Sequence, residues 1–217
     1  MTVICIYAKP PLPGATKSRL AESIGTETAA FLARAMLIDI IDCVAQTPNV
    51  KRQLWHPPNA NAADFADLLP SDFACQCQQG EDLGQRMSHT FAQLLEQTTI
   101  DRVIIIGSDC ITHSASTLQT AIDALADAEI VLQPALDGGY VLVGQRRWHP
   151  EMFSDIPWGT EQVMSRTRRR LNNTGSRFCL LEKTFDVDRV ADLDRLRIFL
   201  AKNERPATVR FLAKFGF

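Results

Sequence analysis

The sequence has no apolar run approaching the roughly 20 residues that a membrane-spanning helix needs. Its longest apolar stretches, such as Val103 to Ile106, are strand-sized. It also has almost no net charge: 23 Lys+Arg against 25 Asp+Glu leave -2. That balance removes the electrostatic reason to expect nucleic acid or an anionic membrane as partner. The six cysteines, Cys5, Cys43, Cys75, Cys77, Cys110 and Cys179, are scattered. Only Cys75 and Cys77 are close in sequence, and no second Cys or His pair stands near them at zinc-like spacing. Reduced thiols are therefore expected, and with no cleavable signal pattern at the start, a cytoplasmic location. No G-x-G-x-x-G occurs, and Lys17 follows Thr16 rather than Gly. Both the dinucleotide fingerprint and the P-loop are thus missing.

What is present is an ordinary globular composition, 217 residues of which 46% are hydrophobic. A chain of this length buries about 70% of its unfolded surface in one core, so residues 1–217 are expected to form a single domain. Thr2 to Ala8 is a β-branched apolar run stopped by Lys9, Pro10, Pro11, Leu12, Pro13 and Gly14. Glu27 to Gln46 follows with Phe31, Ala35, Ile38, Ile41 and Val44 at helical spacing. The alternation continues. Strands are expected at 52–56, 73–78, 102–107, 129–134, 140–144, 177–181 and 184–187. Helices are expected at 61–69, 82–96, 116–126, 160–172 and 190–202, with the tail from Ala207 docking as a short helix. Arg102 to Gly107 (RVIIIG) is apolar enough to be a central parallel strand covered on both faces. The fold class is α/β, a mainly parallel sheet with helices on both faces.

In such sheets ligands bind beyond the carboxyl ends of the strands, so the loops there carry the chemistry. The first, KPPLPGATKSRL, places Lys9, Lys17 and Arg19 and the backbone near Gly14 where a phosphate chain is held well. The second, Gly107, Ser108, Asp109, Cys110, ends the most apolar strand on a carboxylate. A divalent cation shared with substrate phosphates is a natural partner for it, although an N-cap would use the same residue type. The third, PALDGGYVLVG, sets Asp137 before Gly138, Gly139 and Tyr140, as a functional acid or as a plain hairpin turn. Asp186 and Asp188 flank Val187 at a strand end. Alternation would send the two carboxylates to opposite sides unless the strand has already finished. Gly80 and Arg86 lie in QGEDLGQRM, and Trp158 in IPWGTEQV, where a ligand contact or ordinary packing and capping would both fit. Arg166 to Arg170 reads as a solvated helix face.

Together, KPPLPGATKSRL, QGEDLGQRM, IIGSDC, PALDGGYVLVG, IPWGTEQV and DVDRVADL resemble a bacterial family of glycosyltransferase-like proteins in the nucleotide-diphospho-sugar transferase superfamily. Some of its members are radical-SAM/selenodomain-associated transferases or arsenosugar-biosynthesis glycosyltransferases. The resemblance runs from Lys9 to Leu196. It implies a GT-A-type, Rossmann-like sheet and a transferase acting on a nucleotide-activated sugar. Lys9, Gly14, Lys17, Arg19, Gly80, Arg86 and Ser108 would lie on the nucleotide and its phosphates. Asp109 with Asp186 or Asp188 would hold Mg²⁺ or Mn²⁺, Asp137 would be the base, and Gly138, Gly139, Tyr140 and Trp158 would meet sugar or acceptor. Lys17 and Asp109 would act in the chemical step itself. The sequence departs from the pattern at Gly107, which leaves the D-x-D motif incomplete, and at Ile111, where proline is common. A nucleotidyltransferase that condenses a nucleoside triphosphate with a phosphorylated small molecule, and a non-catalytic nucleotide-binding subunit, remain alternatives.

Overall fold

The computed structural model describes residues 1–217, and the expected α/β class is what it shows. Seven strands, β1 (Thr2–Tyr7), β2 (Val50–His56), β3 (Phe73–Cys77), β4 (Arg102–Gly107), β5 (Ile130–Pro134), β6 (Tyr140–Gln145) and β7 (Phe178–Leu180), form one sheet. Their order is β3-β2-β1-β4-β6-β5-β7. All neighbours are parallel except β6, which runs antiparallel to both β4 and β5. The helices are α1 (Ser18–Ile24), α2 (Thr26–Ala45), α3 (Leu83–Leu95), α4 (Ala115–Asp127), α5 (Val163–Thr174), α6 (Asp192–Leu200) and α7 (Pro206–Phe215).

The period of two in each strand divides the core. Ile4, Ile6, Ile104 and Ile106 face α2 and α4, whereas Val3, Cys5, Val103 and Ile105 face α3 and α5. A third cluster lies off the sheet, joining Leu20 of α1 and Met36 of α2 to Leu193, Leu196, Phe211 and Leu212 of α6 and α7. It also takes in Ile111 and Val187, the residues flanking the loop acids.

Some expectations need correction. The helix expected over 61–69 is a single 3-10 turn, Ala62–Phe65. Of the strand expected over 184–187 only Thr184 pairs, in one bridge to Ala135. Phe31 does not face the sheet; it is half exposed and stacks on Phe215 at 5.6 Å. Helix α1 was not foreseen at all.

Beyond α4's N-cap Ser114, which accepts the Thr117 N–H at 3.1 Å, the preceding loop buries His113 completely. Neither imidazole nitrogen has a well-formed hydrogen bond, although the nearby Val141 backbone partly favours the protonated ring. Burial lowers the pKa to about 4, with Arg205's charge adding to it. The unfolded chain binds a proton here near pH 6.5 that the folded chain refuses. Stability is therefore full above that pH and falls as the pH drops toward 4, by roughly 3 kcal/mol for this residue. His113→Leu should flatten the acid limb of a urea-midpoint-versus-pH curve by that amount. The raised Asp186 carboxyl has the opposite slope, but it is common to both proteins and cancels in the difference.

Candidate active site

The strand order reverses between β1 and β4: the chain steps outward through β2 and β3, then returns to the other side of β1. That is the switch point at which a doubly wound sheet opens a crevice. The loops leaving β1 and β4 meet there. Ser108 donates its N–H to the Tyr7 carbonyl at 3.1 Å, and Asp109 follows immediately.

Lys17 is the unexpected member. It is expected on a phosphate, yet its side chain is only 1% exposed. Its ammonium donates to Asp109 Oδ1 at 2.5 Å and to the Val187 carbonyl at 2.7 Å. The backbone reaches this by adopting left-handed φ/ψ of 47° and 44° just before α1. A residue with a Cβ is strained in that region, and such strain persists only where surrounding contacts fix it. Here α1 docks through the wholly buried Leu20, and the ion pair holds the other end.

Asp109 does not cap α4, since Ser114 does. Nor does Asp188 cap α6: Asp192 turns back to accept the Asp188 and Arg189 N–H groups at 3.1 and 2.8 Å. Both acids are left for other work. The chain at 185–187 is not a strand, and the Val187 N–H donates instead to the Asp109 carbonyl at 3.0 Å. Strand alternation therefore does not separate Asp186 from Asp188, and each senses Asp109 and Asp137. Burial, then the charges of Asp137, Asp188 and Asp109, push the Asp186 carboxyl up to about 7. Burial and Asp109 raise Asp188 as well, against the pull of Lys17 and Arg19. Arg19 stands 3.8 Å from Asp188. Four acids thus share a neighbourhood with two cations. As the side chains stand, no three His, Cys, Asp or Glu converge as a ready cation cage.

Asp137 turns the β5–β6 hairpin, accepting the Gly139 N–H on Oδ1 at 2.8 Å, and also lines the cleft. The turn reading holds, and its second oxygen is free of that bond. Gly138 packs directly under α5: a Cβ there would lie 2.2 Å from the Glu161 carbonyl oxygen. Trp158 lies on Gly84, where a Cβ would come within 2.6 Å of the indole, and meets Tyr140 edge-on at 6.2 Å. The loop between Pro157 and Gln162 is thereby seated over the cleft.

Other expected residues lie apart. Lys9 and Gly14 are exposed in the β1–α1 loop, and Lys9 makes no ion pair. Arg86 donates to the Gly80 carbonyl at 3.0 Å, bracing its own loop. Gly80 has φ of 132°, and a Cβ would crowd Gln85 and Arg86. The sequence reading missed Tyr7, Leu83, Met87 and Val163, which line a cleft of about 270 Å³ alongside Asp109, Asp137 and Asp186. Leu83 offered a signal: it continues the Met87, Phe91, Leu94 stripe of α3 one turn past the core, and is 44% exposed.

Residues 40–160 match the family described as "Uncharacterized protein conserved in bacteria (DUF2064)". The chain belongs to that family. The DUF2064 match includes Asp109, Asp137, Tyr140 and Trp158, while Lys17, Arg19, Asp186 and Asp188 come in from outside it. A proposed nucleotide-diphospho-sugar transferase from Desulfovibrio desulfuricans G20 is 28% identical, with TM-score 0.89 over 99% of this chain and 96% of that one. CMP:2-keto-3-deoxy-manno-octonic acid synthetase, solved with CTP, shares the fold at 13% identity and TM-score 0.58 (93% and 98% covered). So does Rv0371c of Mycobacterium tuberculosis H37Rv, solved with manganese, at 16% identity and TM-score 0.53 (90% and 96% covered). No curated protein matches the sequence. No helix is long and apolar enough to cross a membrane.

Proposed function

We propose that this protein is a metal-dependent, cytoplasmic transferase that moves a sugar from a nucleotide-activated donor to a small-molecule acceptor. It would stand among the glycosyltransferase-like proteins of the radical-SAM-associated and arsenosugar type. The observation that carries the reading is the excess of carboxylate over cation at the switch point. Burial and the charges of Asp109 and Asp137 raise the proton affinity of Asp186 and Asp188 there, against Lys17 and Arg19 alone. Hard oxygen donors in this number suit Mg²⁺ or Mn²⁺, which commonly take one or two carboxylates and complete their shell with substrate phosphates and water. Asp109 with Asp186 or Asp188 would hold the ion. Bound there, it would supply charge neutralisation for the departing diphosphate. Support also comes from the Desulfovibrio desulfuricans protein of the same fold and from the manganese bound by Rv0371c.

The residues divide the work. Lys17 orients Asp109 through their ion pair rather than gripping phosphate itself. Arg19, Lys9 and the amides around Gly14 meet the donor phosphates. Arg86 and Gly80 shape the loop that faces the nucleoside. The acceptor oxygen forms its bond to the anomeric carbon as that carbon's bond to the diphosphate oxygen breaks. The hydroxyl proton passes to the free oxygen of Asp137, and the electron pair leaves with the nucleoside diphosphate.

Thermal melts with nucleoside diphosphates, triphosphates and UDP- or GDP-sugars, with and without Mn²⁺, test the reading. At 100 times its dissociation constant the right ligand stabilises by about 2.7 kcal/mol, a rise of about 5–10 °C for a chain of this size. The effect should need the metal. Turnover should release free nucleoside diphosphate; release of pyrophosphate would establish nucleotidyl transfer instead. No response to any nucleotide would leave a non-catalytic role.

A further inference from the structure

The cleft beside the carboxylates is chemically lopsided. One wall is apolar and aromatic, built by Tyr7, Leu83, Met87, Tyr140, Trp158 and Val163. The other carries Asp109, Asp137 and Asp186. No lysine or arginine lines it. The nearby cations do not reach it: Lys17 is bound to Asp109 and Val187, Arg86 braces the carbonyls of its own loop, and half-exposed Arg19, 3.8 Å from Asp188, is left to the donor phosphates. Away from a divalent ion held at Asp109, a phosphate or carboxylate on the second substrate would meet carboxylates and no cationic side chain, so it would be desolvated without compensation.

Two features of the apolar wall point to an occupant. Leu83 is 44% exposed although it belongs to the buried stripe of α3, so a body filling the cleft would take it out of water. Tyr140 contributes a ring, and its hydroxyl is wholly buried without any hydrogen-bond partner in the protein. A buried donor left unpaired is costly, so the Tyr140 hydroxyl is open to a partner the protein does not supply. Burial also raises the Tyr140 pKa, keeping the phenol a neutral donor.

We infer that the second substrate is an uncharged hydroxyl compound with an apolar or aromatic body, seated between Trp158 and Leu83 and accepting a hydrogen bond from Tyr140. This rests on the transferase reading for the identity of the occupant as a substrate, though the preference of the cleft for neutral ligands can be measured without it. Tyr140 acts here as a binding and specificity residue.

Matched pairs differing by one phosphate isolate the charge: phenyl β-D-glucopyranoside against its 6-phosphate ester, and benzyl alcohol against benzyl phosphate, by calorimetric titration. The neutral member should bind at least ten-fold more tightly in each pair, and Trp158→Ala should weaken it about ten-fold. Tyr140→Phe should weaken it about five- to ten-fold while raising the melting temperature of the free protein, because the unpaired hydroxyl is gone. A merely structural tyrosine would not move both in opposite directions. A phosphate ester that ties or wins, no binding by either pair, or Tyr140→Phe that binds like wild type would each overturn the inference. The failures separate by titrating nucleoside diphosphates with Mn²⁺ in parallel. Nucleotide binding with an indifferent cleft sinks this inference alone. Neutral-ligand binding without any nucleotide binding sinks the transferase reading and leaves the cleft preference standing.

Discussion

Asp109→Asn is expected to cut turnover at least a thousand-fold and to lower the melting temperature by about 6–12 °C, and both losses have the same origin. Asp109 ends β4 at the switch point and is the acid that Lys17 was buried to meet. An amide there cannot hold a divalent ion as a carboxylate does, and loss of preorganised charge where the diphosphate departs costs a factor of this size. The stability loss comes from the other partner. With its side chain 1% exposed, the Lys17 ammonium would keep the Val187 carbonyl but lose its ion-pair partner. Breaking a buried pair from one side costs about 3–5 kcal/mol. Because Asp109 itself is 45% exposed, the lower end applies, and each kcal/mol is about 2–4 °C for a chain of this size. Lys17→Met combined with Asp109→Asn should recover most of the melting temperature, since no unpaired charge remains, while activity stays lost. Melts and product assays on the two variants check this. An active Asp109→Asn protein would remove the acid from the chemistry, and a double variant no more stable than the single would deny the buried-charge argument.

The strands were readable from composition and turn chemistry: RVIIIG is apolar enough for a strand covered on both faces, and Asp137-Gly138-Gly139 is compatible with the hairpin turn it makes. The pattern over 184–187 looked equally good, but the segment runs along the end of β5, where the chain turns at Asp137 into the hairpin, so only Thr184 finds a bridge, to Ala135. That error mattered, because it left open whether Asp186 and Asp188 lie on one side. Helix α1 was invisible behind Pro10, Pro11, Pro13 and Gly14, and it is seven residues long with one buried side chain, Leu20. Lys17 sits between Thr16 and Ser18 with nothing local to mark it as buried; its burial depends on an acid 92 residues away. The apolar wall of the cleft was hidden for a different reason. Met87 and Val163 occupy positions that read correctly as helix faces, and periodicity does not say where a core ends and a cleft begins.

The other large effect is expected far from the cleft. Asp39 of α2 is buried, and its carboxylate accepts the Ala207 and Thr208 N–H groups at 3.1 and 2.8 Å and the Thr208 hydroxyl at 2.6 Å. Helix α7 has no side-chain cap of its own, as Arg205 stands at the N-cap position. A carboxylate supplied from α2 therefore does what a local Ser or Asp would do, satisfying the free amides and facing the positive end of the helix. Asp39→Ala would orphan two amides and a hydroxyl in a buried site, at about 1–3 kcal/mol each with partial relaxation, for a total of about 4 kcal/mol. Asp39→Asn, which keeps one accepting oxygen, should lose about half as much. The consequence reaches the active site through Arg205, whose guanidinium donates to the carbonyls of Ile111 and His113, just past Asp109 and Cys110. Helix α7 also closes the cluster that seats Leu20, and with it the turn that drives Lys17 inward. Amide hydrogen exchange on Asp39→Ala should therefore quicken in α7, in α1 and in the loop after β4, while β1 and β4 stay protected. Exchange confined to α7 would show the tether to be local. A melting temperature within about 2 °C of wild type would mean that the desolvation cost of the Asp39 carboxylate cancels its hydrogen bonds.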